Sequence, residues 1–341
     1  MSATPGEARP LRVCVAGAGA IGGYLAARFA EVPGITLSVL ARGAQLAAIR
    51  AGGLRLLEQG QETRVALAAD DDPARLGEQD VLVIALKAHA LADAAATLAP
   101  LVGPRTILVP AINGVPWWYP DAVGGPLAGH RLASVDPDGA LARVLPPSQV
   151  LGCVLHMASS QGVPGTVHKG AGRLVILGRP ACAGDAVQAG EARVARLVAD
   201  AGLELQRTER IVDEVWMKLW GNMTMNPISA LTRATCDLIL DDSLTQRLTY
   251  EVMREAARIG AALGIDLGMS PEQRSAITRK LGRFKSSMLQ DLEAGRTLEV
   301  EALVGAPYEI AGLVGLDAPW LGMLYGLVRQ LAADVAAKAR R

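Results

Sequence analysis

A glycine string near the N-terminus narrows the choice of fold more than any other stretch of this chain. Gly17-Ala18-Gly19-Ala20-Ile21-Gly22 has the spacing G-x-G-x-x-G, with Gly23 directly behind it. A short apolar run over residues 11–16 precedes it, and residues 20–31 carry Ile21, Leu25 and Phe29 at helical spacing. A second β-like run over 36–40 follows. The first forty residues therefore read as one βαβ unit, with parallel strands and a right-handed crossover. In such a unit one glycine makes a tight turn, one lets backbone approach a pyrophosphate, and one lets the helix press on the strand. The helix N-terminus meets the anion with unpaired N–H groups. Gly17, Gly19, Ala20, Ile21 and Gly22 are thus candidate dinucleotide ligands.

The end of the second strand reads Leu40-Ala41-Arg42-Gly43, with no Asp or Glu placed for a ribose 2′-hydroxyl. A guanidinium there can grip a 2′-phosphate with charge-assisted hydrogen bonds, so Arg42 favours NADP (NADPH) over NAD. Runs 81–86 and 106–110 read as central strands ending just before Lys87 and Asn113-Gly114. Ligands of open α/β sheets bind at that carboxyl edge. Residues 150–177 are β-rich with glycine turns and are expected to form hairpins appended to the sheet. A helix over 185–200 and a strand over 203–206 complete a domain spanning 1–207, whose first ten residues are expected to be a disordered tail. Amphipathic runs over 209–226, 244–263, 271–289, 300–314 and 319–337 then make 208–341 an all-helical domain. The fold class is α/β: an N-terminal Rossmann-type dinucleotide-binding domain followed by a C-terminal helical domain for substrate and dimer contacts.

Composition narrows the partners. Lys+Arg and Asp+Glu both number 34 and no long run of one sign occurs, which disfavours nucleic acid or a membrane surface. The four cysteines are scattered and no histidine stands at metal-ligand spacing, so no metal is expected. His156, Ser159, Ser160 and His168 lack a nucleophile elbow or paired metal spacing and read as turn or structural residues. No signal-peptide pattern and no apolar run of eighteen residues is present, and a cytoplasmic protein is expected. The helical domain has apolar surface enough for a homodimer.

The chemistry is read from residues 215–227. Lys218, Asn222 and Asn226 recur every fourth position among apolar neighbours and share one helix face. Polar groups on such a stretch need partners when buried, and a cleft against the first domain is expected to supply them. Pro227 is expected to break or kink the helix. Reducing a ketone requires a hydride at carbon and a proton at oxygen, and Lys218 is the candidate acid. A carboxylate, Glu299, is expected to hold its charge in place.

Taken together, the glycine string, Lys87, Asn113-Gly114, Lys218-xxx-Asn222-xxx-Asn226-Pro227, the string Ser286-Ser287-Met288-Leu289-Gln290-Asp291, and Glu299 resemble the ketopantoate reductases, the 2-dehydropantoate 2-reductases, over nearly the whole chain. The resemblance implies Lys218 as general acid, Glu299 at the substrate hydroxyl, Ser287 at its carboxylate, and Asn222 and Asn226 in substrate binding. It also implies Lys87 and Asn113 at the nicotinamide ribose end and the reacting centre. The small-molecule partner is then a 2-oxo acid. Without it, Asn113-Gly114 reads equally as an ordinary turn. Cys236-Asp237 departs from the family's Gly- and Thr-rich stretch, and Trp117-Trp118-Tyr119 suits either a pocket for a bulkier 2-oxo acid or plain packing. An opine-type or other 2-oxo-acid dehydrogenase on the same plan, and a non-catalytic NADP(H)-sensing protein, stay open as alternatives.

Overall fold

Residues 11–16 carry little but Val, Cys and Ala after Arg12, and such a run can be buried on both faces of a parallel sheet. Val13, Cys14, Val15 and Ala16 are all fully buried. The computed structural model describes residues 9–280 and 282–339. Of the disordered tail expected over 1–10, residues 1–8 lie outside the described residues. Arg9 makes a two-point contact with Asp80, at 2.6 and 2.8 Å.

The chain divides into two units. One comprises residues 9–86, 93–112 and 141–211; the other comprises 87–92, 113–140, 212–280 and 282–339. The second therefore takes in two excursions from the N-terminal part of the chain, and these carry Lys87 and Asn113.

The first unit lays down β1 (Leu11–Ala16), β2 (Ile35–Leu40), β3 (Leu54–Glu58), β4 (Gln61–Val65), β5 (Ala68–Asp70) and β6 (Val81–Ile84). There follow β7 (Ile107–Pro110), β8 (Gly152–His156), β9 (Ser159–Gln161), β10 (Thr166–Lys169), β11 (Leu174–Gly178) and β12 (Glu204–Arg207). The main sheet has the order β5-β2-β1-β6-β7, all parallel. Chain order reverses on either side of β1, so the turn leaving β1 stands at the topological switch point where ligands of such sheets bind. Helix Ala20–Phe29 follows that turn and buries Tyr24, Leu25 and Phe29.

The strands expected as hairpins appended to the main sheet do pair antiparallel, β9 with β10 and β8 with β11. A parallel bridge joins Leu108 of β7 to Val150, but the hairpins belong to two further sheets. β10 joins β3 in a separate sheet of order β4-β3-β10-β9. β8, β11 and β12 form a third sheet. The division follows from non-local pairing: β10 runs parallel to β3, about a hundred residues earlier in the chain, which turn chemistry does not encode.

The second unit is helical. Its long helices are Ile211–Thr232, Ser243–Ala262 and Pro319–Ala339. The run 271–289 forms two helices, Pro271–Arg279 and Ser287–Glu293. Gly282 sits at φ 65° between them, and Ser286 caps the second by accepting from the Leu289 N–H at 3.1 Å. Pro227 does not end its helix, which continues for five residues to Thr232. Thr224, Asn226, Ile228, Ser229 and Ala230 around it are buried, and that packing offsets the roughly 3 kcal/mol an interior proline costs. Among the described residues no helix is long and apolar enough to cross a membrane.

Candidate active site

In the first unit, the turn after β1 is shaped by three different steric demands. Gly17 has φ 101°, and a Cβ there would lie 2.8 Å from the Ala85 carbonyl oxygen. At Gly22 a Cβ would fall 1.9 Å from the Gly17 oxygen, so a side chain would push the helix off the strand. Gly19, the N-cap of helix Ala20–Phe29, is the opposite case: a Cβ there meets no atom within 4 Å, and no side chain caps the helix. The turn thus has room at Gly19, with the first-turn N–H groups of Ala20 and Ile21 behind it and no acidic residue in that turn. These residues fit an anionic pyrophosphate. Arg42 is exposed at the N-cap of helix Gly43–Gly52, whose first turn has no acidic residue either.

In the second unit, helix Ile211–Thr232 is fastened on one face and chemically equipped on the other. Trp216 and Trp220, one turn apart and fully buried, donate their indole N–H groups to the carbonyls of Ala256 (3.2 Å) and Met253 (2.8 Å) on helix Ser243–Ala262. Tyr119 stacks on Trp216 with ring centroids 6.2 Å apart. These bonds set the rotation of the helix, and Lys218, Asn222 and Asn226 follow on the other face. Lys218 and Asn222 are half-buried and Asn226 is buried.

The Lys218 ammonium donates to the Asn113 Oδ1 at 2.8 Å. Asn113 is placed by its neighbours. Gly114 has φ 85°, and a Cβ there would stand 2.5 Å from the Ala302 carbonyl oxygen, which also accepts from the Val115 N–H at 2.8 Å. Ala302 belongs to a single π-helical turn, Glu301–Gly305. Such turns are rare and recur at functional sites. The Asn226 amide lies 3.5 Å from the Ser287 hydroxyl, at the outer limit of a hydrogen bond. Ser287 itself is exposed.

Glu299 gives one oxygen to the Lys87 ammonium and the other to the Ala88 N–H, both at 2.9 Å. Lys87 also reaches Asp291 at 2.9 Å, and Asp291 takes a further ion pair from Arg296 at 2.8 Å. Both carboxylates are buried, while 44% of the Lys87 side chain is exposed. Burial acts to lower the Lys87 pKa, but the charges of Glu299 and Asp291 and their hydrogen bonds outweigh it, and the ammonium is held above the ordinary lysine value.

The structure brings Lys87 to Glu299, Lys218 to Asn113, and Asn226 to Ser287. Sequence reasoning assigns Glu299 to Lys218; the two Glu299 oxygens accept from the Lys87 ammonium and the Ala88 N–H, and Lys218 donates to the Asn113 amide oxygen. The reason is tertiary: Lys87 and Asn113 group with the helical unit although each directly follows a strand run of the sheet. Asp291 and Arg296 had no assigned role. Their signal was a carboxylate closing the Ser286–Asp291 string, eight residues before Glu299. Trp117, Trp118 and Tyr119 are at most 2% exposed, so the aromatic cluster is packing. Cys236 is buried at the start of helix Cys236–Asp241, and burial pushes its thiol up to about 11.

Comparison with known proteins converges on one family. Residues 13–180 match Ketopantoate reductase PanE/ApbA, and residues 210–332 match Ketopantoate reductase PanE/ApbA C terminal. A 2-dehydropantoate 2-reductase of Mesorhizobium japonicum is 42% identical, covering 95% of this chain and 98% of its own. A solved structure from Ralstonia solanacearum, assigned as a ketopantoate reductase, is 49% identical with a TM-score of 0.89, over 95% of this chain and 98% of that one. A D-mandelate dehydrogenase solved with NADH and anilino(oxo)acetate shares the fold, with a TM-score of 0.81 at 18% identity, over 96% of this chain and 100% of its own.

Proposed function

The chain belongs to the ketopantoate reductase family of dinucleotide-dependent oxidoreductases acting at a CH–OH group, and we propose that it reduces a 2-oxo acid to the 2-hydroxy acid with NADPH. The substrate we favour is 2-dehydropantoate, named for the relative at 42% identity. NADPH, when bound, supplies the hydride.

The remaining work falls to side chains of this chain. Gly19, Ala20, Ile21 and Gly22 hold the pyrophosphate with backbone N–H groups; Gly17, whose own N–H is given to the Leu40 carbonyl at 2.9 Å, makes the turn, and Arg42 takes the 2′-phosphate. Hydride arrival at the ketone carbon leaves negative charge on its oxygen. Lys218 donates the proton that completes the hydroxyl and recovers it from solvent. Asn113 orients the ammonium for that transfer. Glu299, fixed by Lys87 and the Ala88 N–H, accepts a hydrogen bond from the substrate hydroxyl. Ser287, with Asn226 beside it, takes the substrate carboxylate, and Asn222 contributes from the same helix face as Lys218. Lys87 and Asn113 serve the ribose end and the reacting centre.

The observation that carries this reading is the Lys218 ammonium on the Asn113 amide at 2.8 Å, within a unit that also holds Glu299 between Lys87 and a backbone N–H. Burial of Trp117, Trp118 and Tyr119 removes the sequence argument for a bulkier substrate. The test is NADPH oxidation with 2-dehydropantoate by wild type and Lys218→Ala. The variant should lose about 10²- to 10⁴-fold in kcat, the range of a general acid, while binding NADPH normally. Wild-type turnover in Lys218→Ala would end this mechanism.

A further inference from the structure

Gln45 lies on helix Gly43–Gly52, three residues past Arg42, and its side-chain amide is engaged at both ends. Its Nε2 donates to the Ala18 carbonyl at 2.6 Å, inside the glycine string. Its Oε1 accepts from the Gly165 N–H at 2.9 Å and from the Gln161 side chain at 3.0 Å. A backbone N–H can only donate and a carbonyl can only accept, so these two contacts settle which end of the amide faces which. Gln161 ends β9, and Gly165 lies in the turn before β10, so the second sheet reaches the glycine turn through this one side chain. The same sheet touches the turn's helix elsewhere: a Cβ on Gly23 would stand 2.6 Å from Val167 of β10.

The bond to Ala18 has a directional consequence. In a trans peptide the C=O of one residue and the N–H of the next point opposite ways across a rigid plane. Holding the Ala18 carbonyl toward Gln45 therefore turns the Gly19 N–H away from it, at the glycine where an added Cβ would meet no atom within 4 Å.

We propose that Gln45 is a positioning residue for the dinucleotide: by gripping the Ala18 carbonyl it fixes the Gly19 N–H as a donor to the pyrophosphate. The inference rests on the dinucleotide reading of the glycine string given above. Gln45 does not touch the ligand. It spares the turn the reorientation of one peptide plane on binding, with the second sheet as the anchor.

The experiment is titration of the full-length apoprotein with NADPH and with adenosine 2′-monophosphate, which has no pyrophosphate, for wild type, Gln45→Glu and Gln45→Met. Gln45→Glu keeps the acceptor for Gly165 but cannot donate to Ala18, so bracing of the sheet survives and the grip on the turn does not. Both variants should bind NADPH about tenfold more weakly, the cost of a misaligned hydrogen bond to an anion, and bind the monophosphate as wild type does. Urea unfolding establishes that both variants remain folded under the titration conditions. NADPH affinity unchanged in Gln45→Glu, or an equal loss for both ligands, would overturn the proposal. A wild-type protein that binds no NADPH would overturn the glycine-string reading itself, which variant behaviour alone does not touch.

Discussion

Replacing Lys87 with methionine should destabilise the helical unit. Lys87 is the shared cation of two carboxylates that are only 7% (Asp291) and 6% (Glu299) exposed. Removing one partner of a fully buried pair costs about 3–5 kcal/mol, because the charge left behind has lost both water and partner. Two features reduce that here. The Lys87 side chain is 44% exposed, so solvent screens its pairing, and Asp291 keeps Arg296 at 2.8 Å. A loss of about 1–2 kcal/mol remains, carried chiefly by Glu299, which retains only the Ala88 N–H of the contacts described above. The assay is urea unfolding followed by tryptophan fluorescence. All five tryptophans, at positions 117, 118, 216, 220 and 320, belong to the helical unit, so the signal reports on that unit alone.

The pH dependence has a definite sign. Lys87 has its folded pKa raised, so its contribution is fully present below the unfolded lysine pKa of about 10.4 and is lost as pH rises through the folded value. The gap between wild type and Lys87→Met should be constant from neutral pH to about pH 9 and close only above the ordinary lysine range. A second substitution, Glu299→Gln, should restore part of the loss, since it removes the charge that Lys87 offsets. An unchanged midpoint in Lys87→Met, or no recovery in the double variant, would refute the argument.

Two further perturbations address the turn beside Lys218 and the cofactor phosphate. Gly114→Ala places a methyl group 2.5 Å from the Ala302 oxygen at φ 85°, and should cost about 1–3 kcal/mol of strain while lowering kcat through Asn113. Wild-type stability and kcat together would show that the Ala302 contact does not position Asn113. Arg42→Ala should raise the KM for NADPH about tenfold or more and leave that for NADH unchanged, as loss of a charge-assisted pair predicts. Equal effects on both cofactors would remove Arg42 from the 2′-phosphate site.

The βαβ unit and the long helices were legible from residues 11–40 and from the helical periodicities because their signals are local. A strand buried on both faces must be apolar throughout, a tight turn at φ 101° requires glycine, and a helix repeats its buried face every three to four residues. The residue types at the candidate site were legible for a related reason: a lysine and two amides spaced four apart on an apolar helix demand partners. Which partners they find is a different matter. Lys218 on Asn113 joins positions 105 apart in the chain, and Lys87 on Glu299 joins positions 212 apart. The second sheet, the π-helical turn and the triple engagement of Gln45 depend likewise on segments distant in sequence. Local patterns carry the conformational preferences of a few residues at a time; packing chooses among the many long-range pairings those preferences allow, and only the folded chain records that choice.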